Sequence, residues 1–342
     1  MAYSVIKKPS DYFNTKLYTG TGASNSQTVG FQPDFTWIKN RSIAEHHILT
    51  DSVRGAPLNL YSNLTNAENN TAEFLKSFDS NGFTVGTSVE VNGSSNNMAS
   101  WNWKANGAGV ANTDGSISST VSANTTSGFS IVSYTGNGSN GASFGHGLGV
   151  KPKIVLIKNR TTAKNWVYWQ DTTNNGTSDV RLCLNLTNAN FNNFHVTFGT
   201  STITLGDTDD AWNKSGDNLI AYCFAEKQGF SKIGSYIGNG SSDGVFCYTG
   251  MKPSFVIIKN TDAGESWSMF DGKRPASNQT NGLYQLQPNT NSAEYQSAPL
   301  IDFVSNGFKL RTATNSLNVT QNYIYMCFAE QPLVGDNPAT AR

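Results

Sequence analysis

Residues Ser133–Arg160 read SYTGNGSNGASFGHGLGVKPKIVLIKNR. Both the opening and the close of this stretch occur elsewhere in the chain. Leu17–Gly22 is LYTGTG and Ser235–Gly240 is SYIGNG. Phe31–Arg41 is FQPDFTWIKNR and Met251–Asn260 is MKPSFVIIKN. The prolines stand at 33, 152 and 253 and the I-K-N lysines at 39, 158 and 259, so both landmarks step by 119 and then by 101. A shared step of this kind marks one structural unit written several times.

The downstream halves also correspond. An aspartate follows each I-K-N: Asp51, Asp171 and Asp271. In the first and third copies it opens a D-x-x-R element, with Arg54 and Arg274. Leucine-rich alternation follows in each copy. Two copies share an S-N-G-F turn, in Ser77–Gly86 and Asp302–Arg311, which the second lacks. Each copy closes on an aromatic strand that aligns Trp103, Phe224 and Phe328.

The dominant period within a copy is two. FTWIKN, KIVLIKN and FVIIKN are β-branched and aromatic runs, and the Pro ahead of each suits a strand entry. Asn-Gly pairs at 81–82, 92–93, 137–138, 239–240 and 306–307 supply turns. The best helical candidate is Asn66–Ser77, with room for one or two turns. The expectation is an all-β protein of three tandem β-sandwich or jelly-roll-like modules of roughly a hundred residues each. The boundaries read as an N-terminal docking segment 1–10, module 1 at 11–106, a Gly/Ser/Thr-rich linker 107–128, module 2 at 129–228, module 3 at 229–334, and a tail 335–342. Modules 2 and 3 abut with almost no linker and are expected to pack as a rigid pair.

Composition narrows the function. The chain has 342 residues with 24 basic and 24 acidic side chains, and only 14% are charged. Nucleic-acid binding normally needs a basic excess, so that partner is not expected. No apolar run is long enough for a membrane span, and MAYSVIKKPS lacks the apolar core of a signal peptide. The polar, nearly uncharged composition suits an extracellular, virion or carbohydrate-facing surface. Cys183, Cys223, Cys247 and Cys327 form no C-x-x-C pair and read as small buried apolar residues.

No catalytic, cofactor or metal motif is present in the sequence. His46 and His47 are adjacent, so on a strand they would face opposite ways; His146 reads as a turn residue and His195 as a strand residue. The Gly-rich stretches after Tyr18 and Tyr134 lack the Lys-Ser/Thr of a phosphate loop and read as hairpin loops. Asp207, Asp209 and Asp210, or Asp51 with Glu45, could supply paired carboxylates, and the Asp cluster could bind calcium weakly; a solvated loop is the plainer reading of that cluster. The ligand-binding candidates are Asp51, Arg54, Asp271 and Arg274, as polar clamps, with Trp166 and Trp212 (and Trp101) as sugar-stacking rings. The alternatives are ion pairs that fix loops and tryptophans that fill cores.

The segments DYFNTKLYTGTG, QPDFTWIKNRS, DSVRG, SWNWKANG, GHGLGVKPKIVLIKNR, AYCFAEKQGFSKIGSYIGNGSSDGVFCYTGMKPSFVIIKN and the terminal NPATAR resemble proteins of marine bacteriophages, along essentially the whole chain. Those are virion structural or tail-fibre-like proteins carrying a domain of uncharacterised function. The resemblance implies a component of the virion. With the polar, weakly charged composition it sets the expectation of a non-enzymatic tail or fibre component, exposed on the particle, with other virion proteins and host-surface carbohydrate as partners. The alternative it leaves is a purely architectural capsid or tail protein. It carries no catalytic residues over. Phage appendages of this kind are usually symmetric, which makes a homotrimer the expected oligomer.

Overall fold

The computed structural model describes residues 4–191, 196–274, 284–296 and 300–331. Strand is nearly the only regular secondary structure of the described chain, and each module is a pair of antiparallel sheets. The larger, inner sheet of module 1 runs Phe13–Thr19, Asn97–Trp103, Phe35–Asn40, Ile48–Asp51, Leu58–Tyr61, Asn69–Asn70 in spatial order. Module 2 repeats that order with Phe129–Thr135, Asn218–Phe224, Ile154–Asn159, Val167–Gln170 and Val180–Cys183. Module 3 repeats it with Ser231–Ile237, Asn322–Phe328, Phe255–Asn260 and Ser268–Asp271. The smaller, outer sheets agree as well: Asn25–Thr28, Gly82–Val85, Leu75–Asp79; then Ser143–Gly145, Thr202–Thr204, Thr197–Phe198; then Phe246–Tyr248, Gly307–Leu310, Ile301–Val304.

Each I-K-N strand starts two residues after its proline and is buried along its whole length. Both of its faces are covered. One packs on the module's own outer sheet, forming three separate apolar clusters around Phe83, Ile203 and Phe308. The other face joins a single large cluster to which all three modules contribute. At its centre Trp103, Phe224 and Phe328 touch one another, with ring centroids 6.5, 5.8 and 5.6 Å apart. Three equivalent residues in mutual contact place an approximate threefold axis through the chain.

The repeated T-G-x-G and I-G-x-G loops follow from backbone crowding. A Cβ on Gly20, Gly136 or Gly238 would sit 2.0–2.3 Å from the carbonyl oxygens of Gly93, Lys214 and Val319. The second glycines, Gly22, Gly138 and Gly240, have φ of +67 to +69°, which only glycine adopts freely. Their N–H groups donate to the carbonyls of Asn92, Asn213 and Asn318. These loops are not the hairpin connections the sequence suggests: each carries the chain from the inner sheet to the outer one, and the strands on its two sides pair with other partners.

Four further expectations need correction. Residues 107–128 are not a free linker: Val110–Asn112 and Ser119–Asn124 extend the inner sheet of module 2. An edge strand needs little apolar content when backbone pairing satisfies it, so a Ser/Thr-rich segment suffices. Modules 2 and 3 are not a separate rigid pair, because all three modules share one core. Asn66–Ser77 forms no helix; it holds the strand Asn69–Asn70 and the start of Leu75–Asp79, with Phe74 and Leu75 buried in the core of module 1. The only α-helical turn among the described residues is Val89–Asn92. Finally, the segment before residue 11 is not a detached docking piece. Ile6 is 2% exposed within the shared core, and the Ser4 hydroxyl donates to the Gln228 carbonyl. The tail 335–342 lies outside the described residues.

Candidate functional site

Of the ligand-binding candidates, Asp51, Arg54, Asp271, Arg274, Trp101 and Trp166 lie at the seams between modules, and Trp212 lies inside module 2. Each seam has the same backbone contact: Glu68 N–H donates to the Arg160 carbonyl, Asn190 N–H to Thr261, and Glu294 N–H to Arg41. Module 1 thus meets 2, 2 meets 3, and 3 meets 1 in one way, and the ring closes.

Asp51 lies opposite Phe35 in the inner sheet of module 1, and Asp271 lies opposite Phe255 in module 3. The equivalent residue in module 2, opposite Ile154, is Gln170. The expected match with Asp171 is therefore displaced by one residue; Asp171 instead accepts hydrogen bonds from the N–H groups of Asn175 and Gly176 in its own loop.

At the seam of modules 1 and 2, Asp51 Oδ2 accepts from Arg54 Nε at 2.5 Å and from the Tyr222 hydroxyl of module 2 at 2.7 Å. Arg54 also donates to Glu68 at 3.1 Å, and Glu68 in turn takes both Arg160 Nε and Nη2 of module 2, at 2.9 and 2.8 Å. The seam of modules 3 and 1 repeats the relay. Asp271 Oδ2 accepts from Arg274 Nε at 2.5 Å and from Trp101 Nε1 of module 1 at 2.9 Å. Arg274 donates to Glu294 at 2.7 Å, and Glu294 takes Arg41 of module 1. The Arg274 guanidinium also lies 5.2 Å from the centre of the Trp101 ring. Asp51, Asp271 and Arg274 have no exposed surface, and Arg54 has only 7%. Burial works against the Arg54 charge, but Asp51, Tyr222 and Glu68 outweigh it and hold its pKa above the ordinary value.

Trp166 is fully buried, and its Nε1 donates to the Tyr61 carbonyl of module 1 at 2.7 Å. Its counterpart Trp267 donates to the Cys183 carbonyl of module 2 at 3.1 Å. His47 occupies the same position in module 1. Its Nδ1 accepts from Trp37 Nε1 at 2.9 Å, so Nε2 carries the proton. Burial drives its pKa well below the usual value, which keeps it neutral. Trp212 packs edge-on to Trp169 inside module 2, 5.0 Å between centroids, with the Arg181 guanidinium 4.8 Å above it. Trp101 is likewise buried. None of these rings offers a face to a sugar.

The I-K-N motif has the same character. Lys39, Lys158 and Lys259 are fully buried, and each Nζ donates to the carbonyl of the following Asn. Lys39 and Lys158 also reach across seams, to the Asn291 and Thr65 carbonyls at 3.3 and 3.1 Å. Burial lowers their pKa values, to about 7 for Lys158 and about 8 for Lys39 and Lys259.

The remaining polar groups are placed as follows. His46 Nδ1 contacts the Asn63 amide, and neither His46 nor His47 lies on a strand. His146 Nδ1 accepts from Leu148 N–H, which leaves Nε2–H to donate to the Gly199 carbonyl at 3.2 Å. His195 lies outside the described residues. Asp207 and Asp209 accept hydrogen bonds from their own loop backbone, and Asp210 pairs with Lys164 at 3.1 Å. Among the described residues no group of three His, Cys, Asp or Glu side chains is placed to hold a metal, and no helix is long and apolar enough to cross a membrane. All four cysteines are free and buried. A cleft of about 220 Å³ near Lys252, Lys273 and Glu330 contains one carboxylate. Burial raises the Glu330 pKa, but its oxygens are taken by Lys273 Nζ and the Thr15 N–H, and among the described residues no second carboxylate lines the cleft.

The chain belongs to the family described as "Domain of unknown function (DUF7483)", which matches residues 8–332. The match spans all three modules as one unit. No curated protein matches the chain, and no solved structure does.

Proposed function

We propose that the protein is a non-enzymatic structural component of a bacteriophage particle, a tail or fibre element that contacts the host cell surface. The observation that carries this reading is the closed ring. Three modules are locked around Trp103, Phe224 and Phe328 and joined by matching seams, which makes a rigid body from one chain. Its formal net charge of zero and low charge density suit a particle exposed in salty water, where surface ion pairs contribute little. The marine-phage resemblance supplies the particle context, and with it other virion proteins as partners; host-surface carbohydrate enters with the host-contact reading. The symmetry that a homotrimer would bring is already present within one chain. Any further assembly of copies would use the outward faces, because the inward ones are occupied.

The architectural alternative draws support from the burial of Asp51, Arg54, Asp271, Arg274, Trp166 and Trp212, which all serve the body itself. Proteomics and cryo-electron microscopy of purified particles test both readings. Density at the tip of a tail appendage is the expected result. Density spread over the capsid lattice favours the architectural alternative, and absence from the particle overturns both.

A further inference from the structure

The three outer sheets face away from the shared core, and their matching positions can be compared row by row. One cross-strand row is Ser26, Thr84, Ser77 in module 1 and Ser143, Thr204, Thr197 in module 2. In module 3 the same row is Phe246, Lys309, Asp302. In the next row, the positions of Thr28 and Gly145 are taken by Tyr248. Phe246 is 44% exposed and Tyr248 65%, while Cys247 between them points inward. Two sister sheets fold with small residues at these positions, so the fold does not require the rings. Two neighbouring, partly exposed aromatic rings on one face, which the sister sheets do without, form an apolar patch of the kind that marks a contact surface.

The posture of the rings suits a flat ligand. A Cβ on Gly307 would lie 2.9 Å from Phe246 Cε2, and one on Gly250 would lie 3.6 Å from the Tyr248 hydroxyl oxygen. Both rings therefore lean over bare glycine backbone. They stand at alternate positions of an edge strand, roughly 7 Å apart along it. The charges around them are paired within module 3: Lys309 with Asp243 at 2.8 Å, and Arg311 with Asp302 at 2.5 Å.

We propose that this outer face of module 3 binds neutral saccharide, with Phe246 and Tyr248 as stacking platforms. The C–H face of a pyranose is flat, apolar and about the size of one aromatic ring. Its equatorial hydroxyls can bond to the rim formed by Lys309, Asp243 and Asp302. A protein partner fits less well. A stable protein interface buries about 800 Å² per side, far more than two rings provide, and the paired rim leaves no free charge to steer one. The proposal rests on the host-contact reading and names its surface and ligand class.

The test uses the purified full chain and a panel of neutral oligosaccharides of glucose, galactose, mannose and N-acetylglucosamine, read by saturation-transfer difference NMR and titration. The wild type should bind at least one of them. The double variant Phe246→Ser with Tyr248→Thr, which installs the module 1 residues, should keep its thermal midpoint and bind at least about ten-fold more weakly. No binding by the wild type, or equal binding by the variant, overturns the proposal. So does a dimer that becomes a monomer in the variant, since that assigns the rings to self-contact. The wider reading fails separately. If the protein is in the particle and variant phage adsorb normally, the saccharide face falls and the virion role stands. If the protein is absent from the particle, the virion role falls whatever the sugars show.

Discussion

Met326 stands where Tyr222 and Trp101 stand in the other two modules, and it has no hydrogen to donate across its seam. The residues it would serve have changed with it. Gln170 replaces the aspartate, Thr173 the first arginine, Asn190 the glutamate and Thr261 the second arginine. Gln170 turns instead to the Tyr168 hydroxyl and to the Gly234 carbonyl of module 3. The five-residue relay is thus present whole at two seams and absent whole at the third. A buried ion network costs much desolvation, so removing all of it can be nearly neutral, whereas removing one member strands a buried charge. Asp51→Ala should therefore cost about 3–5 kcal/mol in urea unfolding. The combined change Asp51→Gln, Arg54→Thr, Glu68→Asn, Arg160→Thr and Tyr222→Met should cost less than that single change. A combined loss larger than the single one contradicts the view of the relay as a unit. The D-x-x-R pairs were legible in the sequence; their glutamate and cross-seam arginine partners were not. Glu68 and Glu294 sit in segments of unequal length, 17 and 23 residues after their aspartates, while Arg41 and Arg160 stand at the end of the strand motif with no signal of a partner.

The I-K-N strands were the most legible elements, because a proline, a β-branched run and an Asn turn mark each one. Their surroundings were not legible. Lys39, Lys158 and Lys259 are buried with carbonyl oxygens as their hydrogen-bond acceptors, and those of Lys39 and Lys158 include one across a seam. Carbonyls satisfy the hydrogens but bring no full countercharge. The unfolded chain, with lysines near 10.4, binds more protons than the folded one from about pH 7 upward. Stability should therefore rise with pH across that window and be lost as pH falls through the folded values. The buried thiols act the other way from about pH 9, since burial pushes Cys183 to about 11 and Cys247 to about 12. Urea midpoints measured from pH 7 to 9 should climb in the wild type, and Lys158→Met should flatten the climb. An equal slope in that variant would place the coupling elsewhere. The segment 107–128 was misread for a related reason: polar composition marks a loop only where no sheet edge is waiting to pair with it.

At the scale of the molecule, period-two patterning identified strands and sandwiches but said nothing of the axis. An alternating strand buried on one face and one buried on both differ only in whether their second face meets water, and here the second face meets the other modules. This is why three tandem domains were expected where one body with three lobes is found. The shared core also changes the role of the N-terminus: removing residues 1–10 takes Ile6 out of that core and should lower the thermal midpoint, rather than only detaching a docking piece. The most direct measurement is differential scanning calorimetry of the full chain at neutral pH. A body locked around Trp103, Phe224 and Phe328 should unfold in a single transition, with calorimetric and van't Hoff enthalpies in a ratio of about one. Two or three resolved transitions, or a ratio near the number of modules, would mean that the modules are independent and that the ring is not closed in solution.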